Sequence, residues 1–552
     1  MKRRKFIKKI SLSTTFLTIP GLYNFSSFAD KPLNKEGSYD LTRPKKTKSY
    51  DIIVYGGTSG GITAAVQAAR MGRSVVLIEP GQHLGGLTSS GLGRTDIGER
   101  KTVGGLSREF YERVGKNYGK TLQLTFEPHV AEKVFDEMVE EAGVEVVRGE
   151  RLDRSAGGIR KEKGKITAIQ MESGKTITGK VFIDATYVGD LMAAAGVSYT
   201  VGRESSDKYD ESLAGTLNSE QYVREDIDPF IKRGQPSSGL LPGIQGKGLP
   251  EAGLGDNKVQ AYNYRLCLTK RNDNKINITK PKGYQAGDYE LIARDIEKLL
   301  KKQKKISLND FMIISSMPGG KTDINNWGYS AMSTDYIGGN YGYPEGSYEQ
   351  RRRIEEEHKR HIQGLFWFLG HDERVPESLR SEMRAWGYAK DEFTDNGYWP
   401  YELYVREARR MEGEYVMTQA NCEGKRNVKE SVALGSYNMD SHTVRRYVNE
   451  DGYMRKDGFF IKSSEIYPIS YYAITPKQEE CENLLVPVCL SASHVAFGSI
   501  RMEPVFMMLG QSAAAAAALC IDRETSVQEL PYSDLETTLN KYNQILKTRI
   551  KK

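Results

Sequence analysis

Tyr50-Asp51-Ile52-Ile53-Val54-Tyr55 has the composition of a buried parallel strand, and the glycines behind it leave few folds open. The chain continues Gly56-Gly57-Thr58-Ser59-Gly60-Gly61, then a helical stretch Ile62–Met71, Gly72, and a second buried strand Val75-Val76-Leu77-Ile78-Glu79. Strand, glycine turn, helix and strand in that order form a βαβ unit, the opening of a doubly wound sheet. Gly56 makes the tight turn and Gly61 lets the helix lie close to the sheet, while Ala65 and Gly72 keep the approach small. The helix then points free N–H groups and its positive dipole end at a pyrophosphate, and Glu79 accepts hydrogen bonds from an adenosine ribose. One position departs: Thr58 stands where a second glycine would let phosphates come closest, and it offers a hydroxyl donor instead. A purely structural turn is the bland alternative; a bound nucleotide is the expectation.

Later segments select the nucleotide. Gln82-His83-Leu84-Gly85-Gly86-Leu87-Thr88 follows Glu79, and its glycine pair lets the chain pass under a flavin's pyrophosphate and ribityl arm. Val144–Val147 reads as a strand whose backbone, at Val147, faces the adenine. A hairpin meander, Ile166–Met171 and Thr176–Phe182, leads to Asp184-Ala185-Thr186 and then Gly189-Asp190. That ending resembles the returning segment of glutathione-reductase-type FAD domains, with Ala185, Thr186 and Asp190 against the cofactor. Asn483–Val488 reads as a last buried strand. It leads to Gly510-Gln511 and an Ala-rich helix expected to aim its N-terminus at the flavin pyrimidine.

Over residues 50–525 the chain resembles a family of bacterial exported FAD-dependent oxidoreductases that open with a GGTxxG turn and an HLGG loop. The resemblance also covers Phe126–Ala131, Asp391–Gly397, Tyr404–Arg410, Gly435–His442, Ser491–His494 and Arg501–Pro504. It implies FAD, and an α/β glutathione-reductase-type FAD-binding fold: a Rossmann-like doubly wound parallel sheet with a β-meander and an inserted α+β substrate or cap domain. Heterodisulfide-reductase-like flavoproteins are distant relatives, but they carry iron–sulfur clusters whose cysteine pattern is missing here. The expected organisation is a signal peptide at 1–29, a Lys- and Pro-rich linker at 30–48, and FAD-binding segments at 49–205 and 431–525. The cap domain occupies 206–430, and a tail helix lies in 526–552.

Arg3-Arg4-Lys5-Phe6-Ile7-Lys8 resembles a twin-arginine export motif, and the stretch after it, broken by Ser11, Ser13, Thr14, Thr15 and Thr18, is too short and polar for a stable membrane span. An ordinary Sec signal is the alternative. The expected location is periplasmic or otherwise extracytoplasmic, with the membrane met only during export. The formal charge of +7 falls to +1 without residues 1–29, which hold six cations and no acid. No general footprint for nucleic acid is left. Cys267, Cys422, Cys481, Cys489 and Cys520 show no zinc or iron–sulfur spacing, so no metal is expected.

Three clusters can carry chemistry. Ser493-His494 and Arg501-Met502-Glu503-Pro504 are expected on the loop entering the flavin-facing helix. His494 is then the first candidate acid/base, because histidine ordinarily titrates near neutrality. Arg501 binds an anionic or hydroxyl-rich substrate or pairs with Glu503, which is itself a candidate proton acceptor. In Tyr437–His442, His442 is the second candidate base, with Asn438 and Asp440 as substrate ligands. Arg406, Arg409 and Arg410 lie in a predicted helix, Pro400–Met417, whose Glu and Arg spacing favours surface salt bridges. His83 offers an attachment point for a covalently bound flavin. The sum is an FAD-dependent dehydrogenase or oxidase that takes a hydride from a small polar, carbohydrate-like substrate and needs a separate electron acceptor that no motif names. The alternative is an electron-transfer or accessory flavoprotein without its own iron–sulfur cluster.

Overall fold

The computed structural model describes residues 48–302 and 305–547. The signal peptide, nearly all of the linker and the last five residues of the tail therefore lie outside the described residues.

The apolar runs pair as their composition requires. β1 (Ser49–Tyr55) lies between β2 (Val75–Glu79) and β6 (Thr176–Asp184), parallel to both, and β3 (Glu145–Arg148) extends the sheet beyond β2. On the other side β5 (Lys165–Gln170) and β4 (Ile159–Glu162) continue it as an antiparallel meander. The order is β3-β2-β1-β6-β5-β4, and Leu484–Leu485 adds a parallel partner to β6. The returning strand thus pairs over two residues only, where the sequence reads as six.

Two helices seat this sheet. α1 (Ser59–Arg70) is the fingerprint helix, and the helix Glu503–Arg523 crosses it so closely that a Cβ on Gly510 would lie 1.9 Å from the Gly60 carbonyl oxygen. The second helix is long and apolar enough to cross a membrane, yet 89% of its most apolar window is buried inside the protein, where a core helix belongs. The mixed α/β architecture, with ligand space at the carboxyl ends of parallel strands, is the expected Rossmann-like one.

Between the two segments that build this sheet, a five-stranded antiparallel sheet runs in the order Met312–Met317, Lys321–Asn326, Leu266–Thr269, Gly387–Ala389, Lys275–Asn277. The helices Glu290–Lys302, Tyr348–His371 and Glu377–Ala385 pack with it around Leu266, Ile292, Phe311, Leu365 and Phe368. Pro400–Met417 contains no helix; its one regular piece is the strand Arg409–Met411, paired with Tyr199–Val201. The tail holds the helix Tyr532–Lys541.

Candidate functional site

The glycine turn builds one wall of a cleft. Thr58 caps α1 by accepting from the Gly61 N–H, and its hydroxyl donates to the Ala185 carbonyl at 2.7 Å. The hydroxyl at this position ties the turn to the end of β6. Gly56 takes φ +105°, and a Cβ there would meet the Ala185–Thr186 backbone at 2.8 Å, so only glycine fits. Gly57 and Gly85 bring the next loop alongside, the Gly85 N–H donating to the Gly57 carbonyl at 2.8 Å. Gly86, Leu87 and Thr88 form a short 3-10 turn, and the Leu87 N–H donates to the Tyr187 hydroxyl at 2.9 Å. Val147 lies opposite Ile78, one residue before the end of β2.

Glu79 ends β2 with its carboxylate accepting from the Gly57 and Gly81 N–H groups, and burial pushes its pKa up to about 7. The cleft has a volume of about 310 Å³, within the range of ligand pockets. It is lined by the fingerprint side, Gly56, Thr58, Glu79, Gly86 and Thr186, and by Arg151, Tyr348, Arg351, Arg352, Tyr401 and Glu402. Helix N–H groups, the carboxylate at the end of β2 and arginines in the lining form a polar set that fits a dinucleotide with a pyrophosphate.

Two expected cofactor contacts, Gly510 and Gln511, are placed away from the cleft, whereas Asp190 lines it. Asp190 is clamped by Arg351 at 2.6 and 2.9 Å and by Arg409 at 2.9 Å, so it lines the cleft as part of a buried ion-pair cluster. The last helix begins at Glu503, with Pro504 in its first turn, so Gly510 and Gln511 lie two turns inside it. Gly510 packs on Gly60, and Gln511 bonds Leu106, Gln67 and Tyr542, all away from the cleft. Glu503 itself accepts from Ser59 and Thr88 at 2.6 Å and from Tyr187 at 2.9 Å. It sits where the two helix N-termini meet, on the cofactor side, and burial raises its pKa. His83 has both ring nitrogens engaged, Nδ1 with Glu132 at 2.7 Å and Nε2 with Asp395 at 3.1 Å.

The acid/base candidates separate. Ser493 caps a helix, His494–Ile500, that takes the place of the expected loop. His494 is its first residue, a full helix away from Arg501, and is 1% exposed. Its Nδ1 lies 2.7 Å from Glu407, its Nε2 3.3 Å from the Ser441 hydroxyl, and its backbone N–H donates to Glu204 at 2.9 Å. Both ring nitrogens are committed to a buried network that Arg410 completes with Glu204 and Glu407.

His442 has the opposite character. Its Nδ1 lies 2.7 Å from Asp335, while its Nε2 makes no hydrogen bond among the described residues and faces Asp440 at 3.7 Å. Arg501 reaches Asp440 at 3.1 Å, not Glu503 as its place in the sequence suggests. Arg406 reaches Asp335 at 3.2 Å, and its side chain is fully buried rather than on a surface. The guanidinium of Arg406 stacks 4.5 Å from the Tyr404 ring, Arg265 lies 5.7 Å from the same ring, and Arg501 stands 3.5 Å from its hydroxyl. Tyr404 in turn packs on Leu87 and Leu92, which joins this array to the cofactor cleft. Asp335 and Arg265 are the residues that sequence reasoning missed, and Arg406 was read as a surface salt-bridge partner, because their partners come from distant segments. Asn438 stays outside this array among the described residues.

Glu127, His129 and Glu392 come together closely enough to hold a metal. The Lys321 ammonium already fills that space, 2.8 Å from Glu127 and 2.6 Å from Glu392.

Among solved structures, the chain is similar to the L-proline dehydrogenase from P. horikoshii, at 16% identity and TM-score 0.23 over 29% of this chain and 59% of that one. The L-amino acid deaminase from Proteus vulgaris gives 19% identity and TM-score 0.21, over 30% and 54%. The OxyS anhydrotetracycline hydroxylase from Streptomyces rimosus gives 11% and 0.23, over 29% and 36%. This chain thus spans about a third to three fifths of those chains. No curated protein matches it. The model of the FAD dependent oxidoreductase family, however, matches residues 51–539, nearly everything from β1 to the tail helix. The chain belongs to the FAD dependent oxidoreductases, and its cofactor is FAD.

Proposed function

We propose that the protein is a dehydrogenase or oxidase that takes a hydride from a C–H beside a hydroxyl on a small, polar, carbohydrate-like substrate. The observation that carries this reading is His442, oriented at Nδ1 by Asp335, with its Nε2 3.7 Å from Asp440, the carboxylate that Arg501 also reaches. Held in the cleft, FAD supplies a two-electron acceptor for the hydride. The imidazole donates its Nδ1–H to Asp335, which leaves the Nε2 lone pair to take the substrate's hydroxyl proton. Asp335 and Asp440 then stabilise the imidazolium. Arg501, with Gln260 3.5 Å away, holds the substrate oxygen in place, and the apolar wall of Leu87, Leu92 and Tyr404 excludes water.

The purified protein should be yellow, and acid should release FAD rather than FMN and leave a colourless chain. Anaerobic addition of sugars, polyols and amines should bleach the flavin with at least one member of the first two classes. Bleaching by amines alone would move the substrate to a C–H beside nitrogen. If no small molecule bleaches it and a reduced protein partner does, the electron-transfer reading replaces this one.

The proposal includes twin-arginine export of the folded, flavin-loaded chain to an extracytoplasmic compartment, supported by Arg3-Arg4 and the weak apolar stretch behind them. Changing Arg3→Lys together with Arg4→Lys keeps the charge, so a Sec signal tolerates it. The twin-arginine route does not, and the exported fraction should collapse while the precursor accumulates as yellow protein in the cytoplasm. Unchanged export of the double variant would sink the folded-export reading.

A further inference from the structure

Tyr348, Arg351, Arg352 and Glu355 recur at one-face spacing at the start of the helix Tyr348–His371, and all four line the cofactor cleft with Gly56, Thr58, Glu79 and Gly86. Of the first ten residues of this helix only Arg351 is buried, whereas the second half is packed through Ile362, Leu365, Phe366, Phe368 and Leu369. Polar contacts therefore hold the helix start in place. Arg351 donates to both Asp190 oxygens, at 2.6 and 2.9 Å, and to the Tyr343 and Pro344 carbonyls at 2.9 and 2.8 Å. The Tyr348 hydroxyl donates to the Leu152 carbonyl at 3.0 Å, and Arg154 donates back to the Gly346 carbonyl at 2.8 Å. Glu345 accepts from Arg409 at 2.8 Å and from the Tyr199 hydroxyl at 3.2 Å.

These anchors come from two sides of the sheet. Leu152 and Arg154 follow β3 and Asp190 follows β6, and β2 and β1 lie between those two strands. The carboxyl ends of β2 and β1 carry Glu79 and the glycine turn, so residues 342–355 are tied down on either side of the place where FAD is held. Polar ties release more readily than an apolar core, because water replaces each lost partner. The chain leading into the helix is also built to bend. Residues 337–346 include Gly338, Gly339, Gly342 and Gly346. Asn340 and Tyr341 pin this stretch by donating to the Gln260 and Val444 carbonyls, each at 2.7 Å. Just past the pins, a Cβ on Gly342 would meet only Ile354, at an ordinary 3.9 Å, and the backbone there is outside the left-handed region. Neither space nor conformation demands glycine at 342, which leaves flexibility as its use.

We propose that residues 342–355 form a strap over bound FAD, fastened by Arg351 on Asp190, and that the cofactor enters and leaves only when the strap lifts while the second half of the helix stays seated. The strap acts on the cofactor and stands independently of the hydride reaction proposed above. Exchange of bound FAD for excess isotope-labelled FAD tests it on the flavin-loaded full chain, with mass spectrometry of the bound flavin as the readout and no turnover required. Arg351→Lys keeps the charge but loses the two-pronged hold on Asp190, and should speed exchange by on the order of tenfold. Tyr348→Phe is the milder variant: it removes one tie, keeps the ring and should speed exchange several-fold. Gly342→Ala stiffens the hinge and should slow exchange by about twofold or more. Amide hydrogen exchange over residues 342–355 should change in the same order across the three variants, because one opening governs both. The proposal is overturned if all three variants exchange FAD at the parent rate. It is equally overturned if FAD exchange speeds up while amide exchange over the strap does not, for these residues would then only touch the cofactor.

Discussion

Gly61→Val yields protein without flavin. A Cβ built on Gly61 lies 1.9 Å from the Gly56 carbonyl oxygen and 3.1 Å from the Ala185 side chain, and both are fixed by the sheet. Valine adds two further carbons to that collision, and no flexible neighbour can yield. The turn must open, which moves the first N–H groups of α1 away from where a pyrophosphate is held. Strain of this kind in a packed core costs several kcal/mol, so the variant loses the cofactor and, with it, much of the fold. The control is Gly72→Asn, at φ +75° with nothing within 4 Å of a new Cβ. Asparagine tolerates the left-handed region, so this variant keeps its colour at a small cost in stability. Visible flavin absorbance per mole of protein reads the difference, and thermal unfolding separates lost cofactor from lost fold. Full flavin content in Gly61→Val would falsify the assignment of the fingerprint.

The parts of the molecule legible in its sequence are those whose physics is local. β1, α1 and β2 combine apolar strands with a glycine turn that admits no other conformation, and they fall where composition puts them. The chemistry of Pro400–Met417 is not local. Its Glu and Arg residues repeat at helical spacing, which reads as a solvated helix, but Arg406 and Arg410 are buried against Asp335 and Glu204, residues far away in the chain. One sequence does not show which distant carboxylates neutralise an arginine, so a buried network and a wet surface look alike. Asp335 illustrates the same limit, for nothing in Ser333-Thr334-Asp335-Tyr336 marks it as the partner of His442. Two signals were present. Ser493 before His494 is an N-cap, and Pro504 after Glu503 marks a first turn. Together they split the region into two helices, which places His494 and Arg501 at opposite ends of the first.

The two histidines therefore predict different failures. His442→Ala should slow flavin reduction by the true substrate by about a hundredfold or more, the usual cost of a lost general base, with FAD content unchanged. The loss should shrink at high pH, where hydroxide or an ionised substrate replaces the base. His494→Ala should leave the rate per mole of bound flavin nearly intact and appear in stability instead. Burial disfavours the Glu407 charge, but His494 and then Arg410 overcome it and hold Glu407 at about 2. A folded pKa below the ordinary carboxylate value of 4.5 stabilises the native state above pH 4.5, and that stability is lost as pH falls toward about 2. Without His494 the buried carboxylate keeps Arg410 and Gln260 but loses one hydrogen-bond partner, at a cost of roughly 1–3 kcal/mol. Acid unfolding of His494→Ala should accordingly be shallower than that of the parent between pH 4.5 and 2. Stopped-flow reduction and acid titration of the two variants decide the assignment. If His494→Ala slows reduction and His442→Ala does not, the base is on the Glu407 network. If neither slows it, the hydroxyl proton leaves through Tyr404 or water, and Asp335 orients a histidine that only binds the substrate.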